Sequence, residues 1–295
     1  MAAHLNSPSI SVVVIALNEG LNLRRTVENL QSTLNGNSEI LVVDDGSDDN
    51  CADFLADGDS PVRLVRSDHL GVAAARNFGA SQTSGDVILF ADAHITVQSG
   101  WWAPLVEALD NESAGAVAPV ISNQEEPQYK GFGLRLKSPD LSIEWLRRQG
   151  QEPYRVPILP GCCLGMRRET FEATGGFDGG MVRSQGVDNE LAVRFWLLGY
   201  ELWLVPRVEV LHLFRRAQPY ELRWDTVMHN KLRLAFVHFA QDRVGRVVEA
   251  LRGNAGFAAG LAQLVVGDAA ERRSHLASKR VRDDAWFFEQ FGPSW

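Results

Sequence analysis

Short apolar runs that lead into acidic residues constrain the fold of this chain more than any other feature. Residues 10–17 form a nearly continuous run rich in β-branched side chains, which is typical of a strand covered on both faces. A second run, 40–43, and a third, 86–91, lead directly into aspartates. Apolar residues at helical spacing lie between the runs. This alternation predicts an α/β fold with a mostly parallel, Rossmann-like sheet flanked by helices.

The remaining patterns divide the chain into three parts. Residues 1–100 contain four predicted strands whose carboxyl ends share one rim, where open α/β sheets bind ligands, so this half is predicted to bind a nucleotide. Residues 101–215 contain a proline-rich stretch typical of loops that shape an acceptor site, followed by two strands predicted at 201–205 and 208–211. Residues 216–295 are predicted to form a loop and a helical C-terminal extension.

Composition excludes several classes of protein. The 295 residues carry 29 Lys and Arg against 37 Asp and Glu, and 45% are hydrophobic, which excludes a mainly disordered chain. The net charge of −8 argues against nucleic acid as a partner, because phosphate backbones attract clustered cations. No run approaches the roughly 18 apolar residues of a membrane span, and residues 1–9 lack a signal-peptide pattern, so we expect a cytoplasmic location. The three cysteines match no disulfide or zinc pattern and are expected to be reduced.

The segment Asp92-Ala93-His94 is the sharpest candidate for chemistry. In an extended chain, residues i and i+2 point the same way, so carboxylate and imidazole are predicted to reach one ion. His212 ends another predicted strand and would add a second imidazole, while Arg215 can face a diphosphate. Such a ligand set suits Mn²⁺ and, less specifically, Mg²⁺. The alternative is that Asp92 caps a turn and the histidines are structural.

The acidic turn at 44–49 suits a nucleoside better than a phosphate. Its carboxylates can accept hydrogen bonds from a base or from ribose hydroxyls, whereas phosphates prefer backbone amides and cations. Capping of the following turn is the alternative role. The first strand is not followed by a G-x-G-x-x-G motif, and a P-loop lysine is also missing, which argues against dinucleotide oxidoreductases and P-loop kinases.

Five motifs in order resemble those of family 2 glycosyltransferases, which have the GT-A fold. They are VVIALNE at 13–19, VVDDGS at 42–47, GVAAARN at 71–77, DAH at 92–94 and GGFD at 175–178. The segments 186–196, 212–215, 219–220 and 230–235 extend the resemblance to polypeptide N-acetylgalactosaminyltransferases. The resemblance implies that 1–100 and 101–215 are the nucleotide-sugar-binding and acceptor-binding halves of a GT-A domain.

The resemblance also implies roles for individual residues. It implies that Mn²⁺ is bound by Asp92, His94 and His212. It further implies that a UDP-sugar is bound by Asp92 and by Asn18, Glu19, Asp45, Arg76, Arg215 and Tyr220. Asp45 and Arg76 would lie near the uridine, and 215–220 would form a mobile loop over the diphosphate.

The helix predicted over 188–198 departs from the closer family at its start. That family's paired acid and amide fall here on Val187 and Asp188. Asp188 instead lies where inverting family 2 enzymes have the second residue of a Glu-Asp pair. There the carboxylate is the general base that accepts the proton of the acceptor hydroxyl. Asp188 is therefore expected to be the catalytic base of an inverting reaction, with N-capping of the helix as the alternative.

Together these patterns predict a metal-dependent glycosyltransferase that moves a sugar from a UDP-sugar to an acceptor, with a peptide or protein side chain favoured. One alternative is a transferase that builds a polysaccharide, a glycolipid or a small-molecule glycoside, because family 2 includes all of these. Another is a sugar-nucleotide binding module without turnover. The valine at position 187, where the closer family has an acidic residue, keeps that alternative open.

Overall fold

The structure is a computed structural model that describes residues 8–56, 60–183, 185–217, 219–293 and 295. The segment 1–9 is predicted to lack a signal-peptide pattern, and residues 1–7 of it lie outside the described residues. The strands are β1 Ile10–Ala16, β2 Ser38–Asp44, β3 Arg63–Arg66, β4 Val87–Asp92, β5 Ile95–Val97, β6 Ala114–Asn123, β7 Lys130–Gly131, β8 Leu134–Leu136, β9 Ile143–Trp145, β10 Tyr154–Arg155, β11 Cys163–Arg167 and β12 Glu201–His212. The α-helices are α1 Leu21–Thr33, α2 Val72–Ser81, α3 Trp102–Ala108, α4 Arg168–Thr174, α5 Val187–Leu197, α6 Trp224–His238, α7 Gln241–Leu251, α8 Phe257–Val266, α9 Ala269–Ala277 and α10 Asp284–Phe291.

One large sheet organises the protein. Its strand order is β10-β12-β6-β11-β4-β1-β2-β3, with β5 paired to β12 and β7 paired to β6. β1 is parallel to both β2 and β4, and β2 is parallel to β3. β11 runs antiparallel to both β4 and β6. The predicted α/β architecture is confirmed, and the carboxyl ends of β1, β2 and β4 share one edge of the sheet.

The apolar runs are strands buried on both faces. In β1, Val13 packs into one hydrophobic cluster, while Val12 and Val14 pack into a second cluster. Alternate side chains point to opposite faces of a sheet, so helices cover both faces. This explains why the run at 10–17 lacks the alternation of polar and apolar residues that marks a half-exposed strand.

One local expectation is wrong. The strands predicted at 201–205 and 208–211 are one strand, β12, whose register against β6 shifts between Val205 and Glu209. Pro206 lies in this irregular stretch, where a missing amide hydrogen costs no regular ladder bond. The proline-rich region 122–160 is mostly loop, as its pattern predicts, and it contains short strands, including the β8–β9 antiparallel hairpin.

The helices α6 to α10 form the predicted C-terminal extension. A buried ion pair and a buried hydrogen bond join it to the sheet domain: Arg233 on α6 pairs with Asp178 at 2.8 Å, and His238 Nε2 lies 2.9 Å from Glu190 Oε1 on α5. α8 and α9 also pack against α6. None of the described helices is long and apolar enough to cross a membrane.

Candidate active site

Three side chains that can bind metal converge at the carboxyl edge of the sheet. Asp92 ends β4, His94 lies in the turn that follows, and His212 ends β12. Their ligand atoms all lie within 4.8 Å of one another. The structure therefore brings together the three residues predicted to bind a divalent cation.

Strand pairing explains this convergence. β5 begins directly after His94 and pairs antiparallel with the end of β12, so that Ile95 lies opposite His212. The Leu213 amide donates a hydrogen bond to the His94 carbonyl over 3.1 Å. The extended conformation predicted for 92–94 is wrong, because β4 ends at Asp92 and residues 93–94 form a turn. The side chains meet because β5 pairs with β12 and not because they alternate along one strand.

The donor set fits Mn²⁺, which accepts carboxylate oxygen and imidazole nitrogen. His212 Nε2 lies 3.4 Å from Asp92 Oδ2. His212 Nδ1 is buried and has no hydrogen-bond partner within the described part of the chain. Burial raises the pKa of Asp92, but its hydrogen bond with His212 and the Arg76 charge outweigh burial and lower this pKa to about 2. Asp92 is therefore ionised at neutral pH, as a metal ligand requires.

Arg76 joins the candidate metal site to Asp188. Its side chain is 3% exposed, and Nη1 donates a hydrogen bond to Asp188 Oδ1 over 2.7 Å. Nη2 lies 3.4 Å from Asp92 Oδ1 and donates to the Gly161 carbonyl over 2.7 Å. One buried guanidinium therefore contacts two carboxylates and offsets part of their negative charge. A contact between Arg76 and uridine stays a prediction.

Asp188 lies in the first turn of α5, and its carboxylate lies against Gly161. The N-cap residue of α5 is Gly186, so the alternative that Asp188 caps the helix is wrong. Burial raises the pKa of Asp188 by more than the Arg76 charge lowers it. A Cβ atom added to Gly161 would lie 2.0 Å from Asp188 Oδ2. The missing side chain at Gly161 therefore makes room for this carboxylate.

The acidic turn after β2 uses its carboxylates largely within the protein. Asp45 accepts hydrogen bonds from the Ser67 hydroxyl at 2.8 Å and from the Leu70 and Gly71 amides at 2.7 and 2.8 Å. These bonds hold the segment that begins α2. Asp45 also lines the cavity, and a carboxylate accepts about four hydrogen bonds. A donor on uridine or ribose can still bind there, and that role stays a prediction.

Asn18 and Glu19 lie in the turn between β1 and α1. Asn18 Oδ1 accepts a hydrogen bond from the Asp48 amide at 2.9 Å, so this side chain holds the acidic turn. The Glu19 side chain is 7% exposed and contacts both His94 and Arg215. Glu19 lines the cavity, whereas Asn18 is not among the described residues that do so. Donor binding by either residue stays a prediction.

All the candidate residues except Asn18 line a cavity of about 850 Å³, a volume typical of ligand sites. Arg215 and Tyr220 line it from the segment after β12. Cys162 also lines it, and burial raises the pKa of its thiol well above the ordinary value. The cysteines are free, as expected.

Sequence reasoning did not single out several residues that line the cavity. Among them are Arg183, which precedes α5, and His229 and Arg233 on α6. His229 Nε2 contacts the Gly180 carbonyl at 3.1 Å. The motif at 230–235 signalled this helix, but its pattern alone did not indicate that α6 faces the cavity.

A mixed sheet with an Asp-x-His turn at its carboxyl edge and a cavity beyond it is typical of a glycosyltransferase of the GT-A fold. The crystal structure of GalNAc-T7 with UDP, GalNAc and Mn²⁺ superposes with a TM-score of 0.80 at 22% identity, covering 96% of this chain and 57% of that chain. The structure of a mannosyltransferase from Pyrobaculum calidifontis, in complex with GDP-Man and Mn²⁺, superposes with a TM-score of 0.55 at 18% identity. The match covers 92% of this chain and 80% of that chain. These similarities confirm the GT-A fold.

The sequence profile of glycosyl transferase family 2 matches residues 11–175, more than half of the chain. This protein therefore belongs to glycosyl transferase family 2. Polypeptide N-acetylgalactosaminyltransferase 11 of Xenopus tropicalis is 32% identical over 257 residues, which cover 78% of this chain and 42% of that protein. Human polypeptide N-acetylgalactosaminyltransferase 13 is 28% identical over 316 residues, which cover 97% of this chain and 55% of that protein. The chain thus spans about half the length of these curated relatives.

Proposed function

We propose that this protein transfers a sugar from a UDP-sugar to an acceptor with the help of a divalent cation, preferably Mn²⁺. The observation that carries the proposal is the convergence of Asp92, His94 and His212 beside the ion pair of the buried Arg76 with Asp188 in one cavity. The similarity to GalNAc-T7, whose structure contains UDP and Mn²⁺, supports the choice of donor and cation.

The residues of the chain divide the work of the reaction. The bond between the anomeric carbon and the diphosphate oxygen breaks, and its electron pair leaves with the diphosphate. When bound by Asp92, His94 and His212, the cation would stabilise the negative charge of that leaving group. Arg215 lines the same cavity and adds a positive charge near it.

Asp188 is proposed as the general base of an inverting transfer. An acceptor hydroxyl is a weak nucleophile until its proton is accepted during attack, and the proton would move to the Asp188 carboxylate. The pKa of Asp188 is raised, mainly by burial, which makes its ionised form a better proton acceptor than an ordinary carboxylate. Arg76 holds this carboxylate at 2.7 Å and so fixes its position.

The rim of the cavity supports a peptide or protein acceptor. Leu70, Val182 and Val266 line the cavity and are 44%, 38% and 85% exposed. Clustered exposed apolar side chains are typical of a binding surface. Peptide side chains can cover such a rim, whereas the polar units of a growing polysaccharide match it less well.

Donor turnover tests the metal role. Purified protein is incubated with a panel of UDP-sugars, and UDP release is measured with Mn²⁺, with Mg²⁺ and with a chelator. We expect release to require the cation and to vanish in Asp92→Ala, while Glu112→Ala, which removes an exposed carboxylate outside the cavity, retains it. Cation-stimulated release at the wild-type rate in Asp92→Ala would refute the assigned ligand set.

Product analysis tests the acceptor and the stereochemistry. Peptides incubated with enzyme and donor are examined by mass spectrometry for the added sugar, and NMR gives the anomeric configuration of the product. A peptide product with inverted configuration, lost in Asp188→Asn, supports the proposal. Transfer only to glycans contradicts the peptide acceptor, and a retained configuration contradicts the role of Asp188.

A further inference from the structure

Glu19 joins two side chains that are far apart in the sequence. Its Oε2 lies 3.1 Å from His94 Nδ1 and also forms an ion pair with Arg215. The Glu19 side chain is 7% exposed, and that of Arg215 is 14% exposed. One shielded carboxylate therefore contacts a candidate metal ligand and the cation on the segment after β12.

The backbone on both sides of Glu19 is fixed. Asn18 adopts a φ of 56°, in the left-handed region that asparagine tolerates better than most side-chain-bearing residues. The Asn18 amide donates to the Ser47 hydroxyl over 3.0 Å, and the Gly20 amide donates to Asp49 Oδ2 over 2.7 Å. The turn after β2 thus anchors both neighbours of Glu19, and its carboxylate is held ready for His94.

The contact at Nδ1 determines which nitrogen of His94 is free. A carboxylate accepts a hydrogen bond, so it favours the tautomer with the proton on Nδ1 and leaves the lone pair on Nε2. In metal-binding histidines, the N–H group of the second ring nitrogen commonly donates a hydrogen bond to a carboxylate. This bond fixes the orientation of the ring and raises the basicity of the ligating nitrogen. His212 differs, since its Nδ1 has no hydrogen-bond partner in the part of the chain that is described.

We propose that Glu19 is a positioning residue, which orients His94 for the cation and couples this ligand to Arg215. The inference rests on the proposed metal role of His94. It assigns Glu19 to contacts with the side chains of His94 and Arg215, and not to direct contact with the UDP-sugar. The coupling has a second connection, because the Leu213 amide also binds the His94 carbonyl at 3.1 Å.

Metal binding without donor tests the proposal. The affinity for Mn²⁺ alone is measured by electron paramagnetic resonance for wild type, Glu19→Ala and Glu112→Ala, after circular dichroism has confirmed that each variant is folded. We expect Glu19→Ala to weaken Mn²⁺ binding by about 10- to 100-fold, the usual effect of losing such a partner. Glu112→Ala removes an exposed carboxylate outside the cavity, so its Mn²⁺ affinity should remain that of the wild type. Wild-type affinity in folded Glu19→Ala would overturn the proposal.

The tautomer of His94 gives a second readout that needs neither metal nor activity. In metal-free wild-type protein at alkaline pH, ¹⁵N NMR of labelled histidine should report His94 protonated at Nδ1. A proton on Nε2 overturns the proposal even if Glu19→Ala fails to fold. If the wild type shows the expected tautomer but binds no Mn²⁺, the proposed metal function fails while the orientation of His94 by Glu19 is upheld.

Discussion

Replacing Gly161 by alanine should disturb the candidate active site through one collision. The backbone of Gly161 is not in the left-handed region, so an alanine is not strained there by its own conformation. Its Cβ, however, would lie 2.0 Å from Asp188 Oδ2 and 2.1 Å from Asp188 Cγ. The Asp188 carboxylate therefore has to rotate away, and Arg76 Nη1 loses its acceptor at 2.7 Å.

The size of the effect follows from these two contacts. Overpacking costs about 1–3 kcal/mol, and a buried donor without a partner costs about 1–3 kcal/mol. The two are alternative consequences of the same collision, because rotation of Asp188 relieves the first and causes the second. We therefore expect the free energy of unfolding to fall by about 2 kcal/mol. Transfer should fall by about 10²- to 10⁴-fold if Asp188 is the general base.

Urea unfolding in a double-mutant cycle tests this reasoning. Asp188→Ala removes the three atoms nearest to the added Cβ, so Gly161→Ala should cost little stability in that background. Gly179→Ala is the matched control, because a Cβ there meets no atom within 4 Å. An equal loss from Gly161→Ala with and without Asp188 would refute the collision as the cause, since contacting residues are expected to be non-additive.

Three further outcomes follow from buried charges. Arg233→Ala removes a guanidinium that is 1% exposed and pairs with Asp178, so unfolding in urea should show a loss of about 3–5 kcal/mol, as when one partner of a buried pair is removed. Burial raises the pKa of Glu190, but Arg194 and His238 outweigh burial and hold this pKa well below the ordinary value. The ionised Glu190 therefore stabilises the folded protein above the pKa of an unfolded glutamate, and this contribution is lost as the pH falls. Glu190→Gln should therefore flatten the acid side of the stability profile, and an unchanged profile contradicts this. The raised pKa of Asp188 should move the acid limb of the kcat/KM profile to a higher pH than an ordinary aspartate would give, and this limb should be absent from any residual activity of Asp188→Asn.

Local pattern alone predicted much of the fold. The helices Leu21–Thr33 and Val72–Ser81 lie between the apolar runs, as predicted, because a helix is signalled by apolar residues three and four apart. The apolar runs predicted the central strands, because burial on both faces leaves a continuous signal. These interactions act between near neighbours, so the sequence reports them directly.

Part of the site was also predictable from the sequence. The position of Asp92 at the end of a strand and the order of the motifs indicated the rim and the candidate ligands. The extended conformation that was expected to bring Asp92 and His94 together is replaced by a turn at residues 93–94. That Asp188 is not an N-cap could be learned only from the structure, which places Gly186 at the N-cap and Asp188 against Arg76.

Tertiary structure alone decided which distant side chains meet. Arg76 and Asp188 are 112 residues apart, and Glu19 and Arg215 are 196 residues apart. Both contacts depend on the order of strands in the sheet, and the antiparallel pairing of β5 with β12 brings the segment that carries Arg215 to this edge. Sequence determined which residues reach the rim, because strand ends are encoded locally. Their partners there follow from long-range strand pairing, which leaves no periodic signal in the chain.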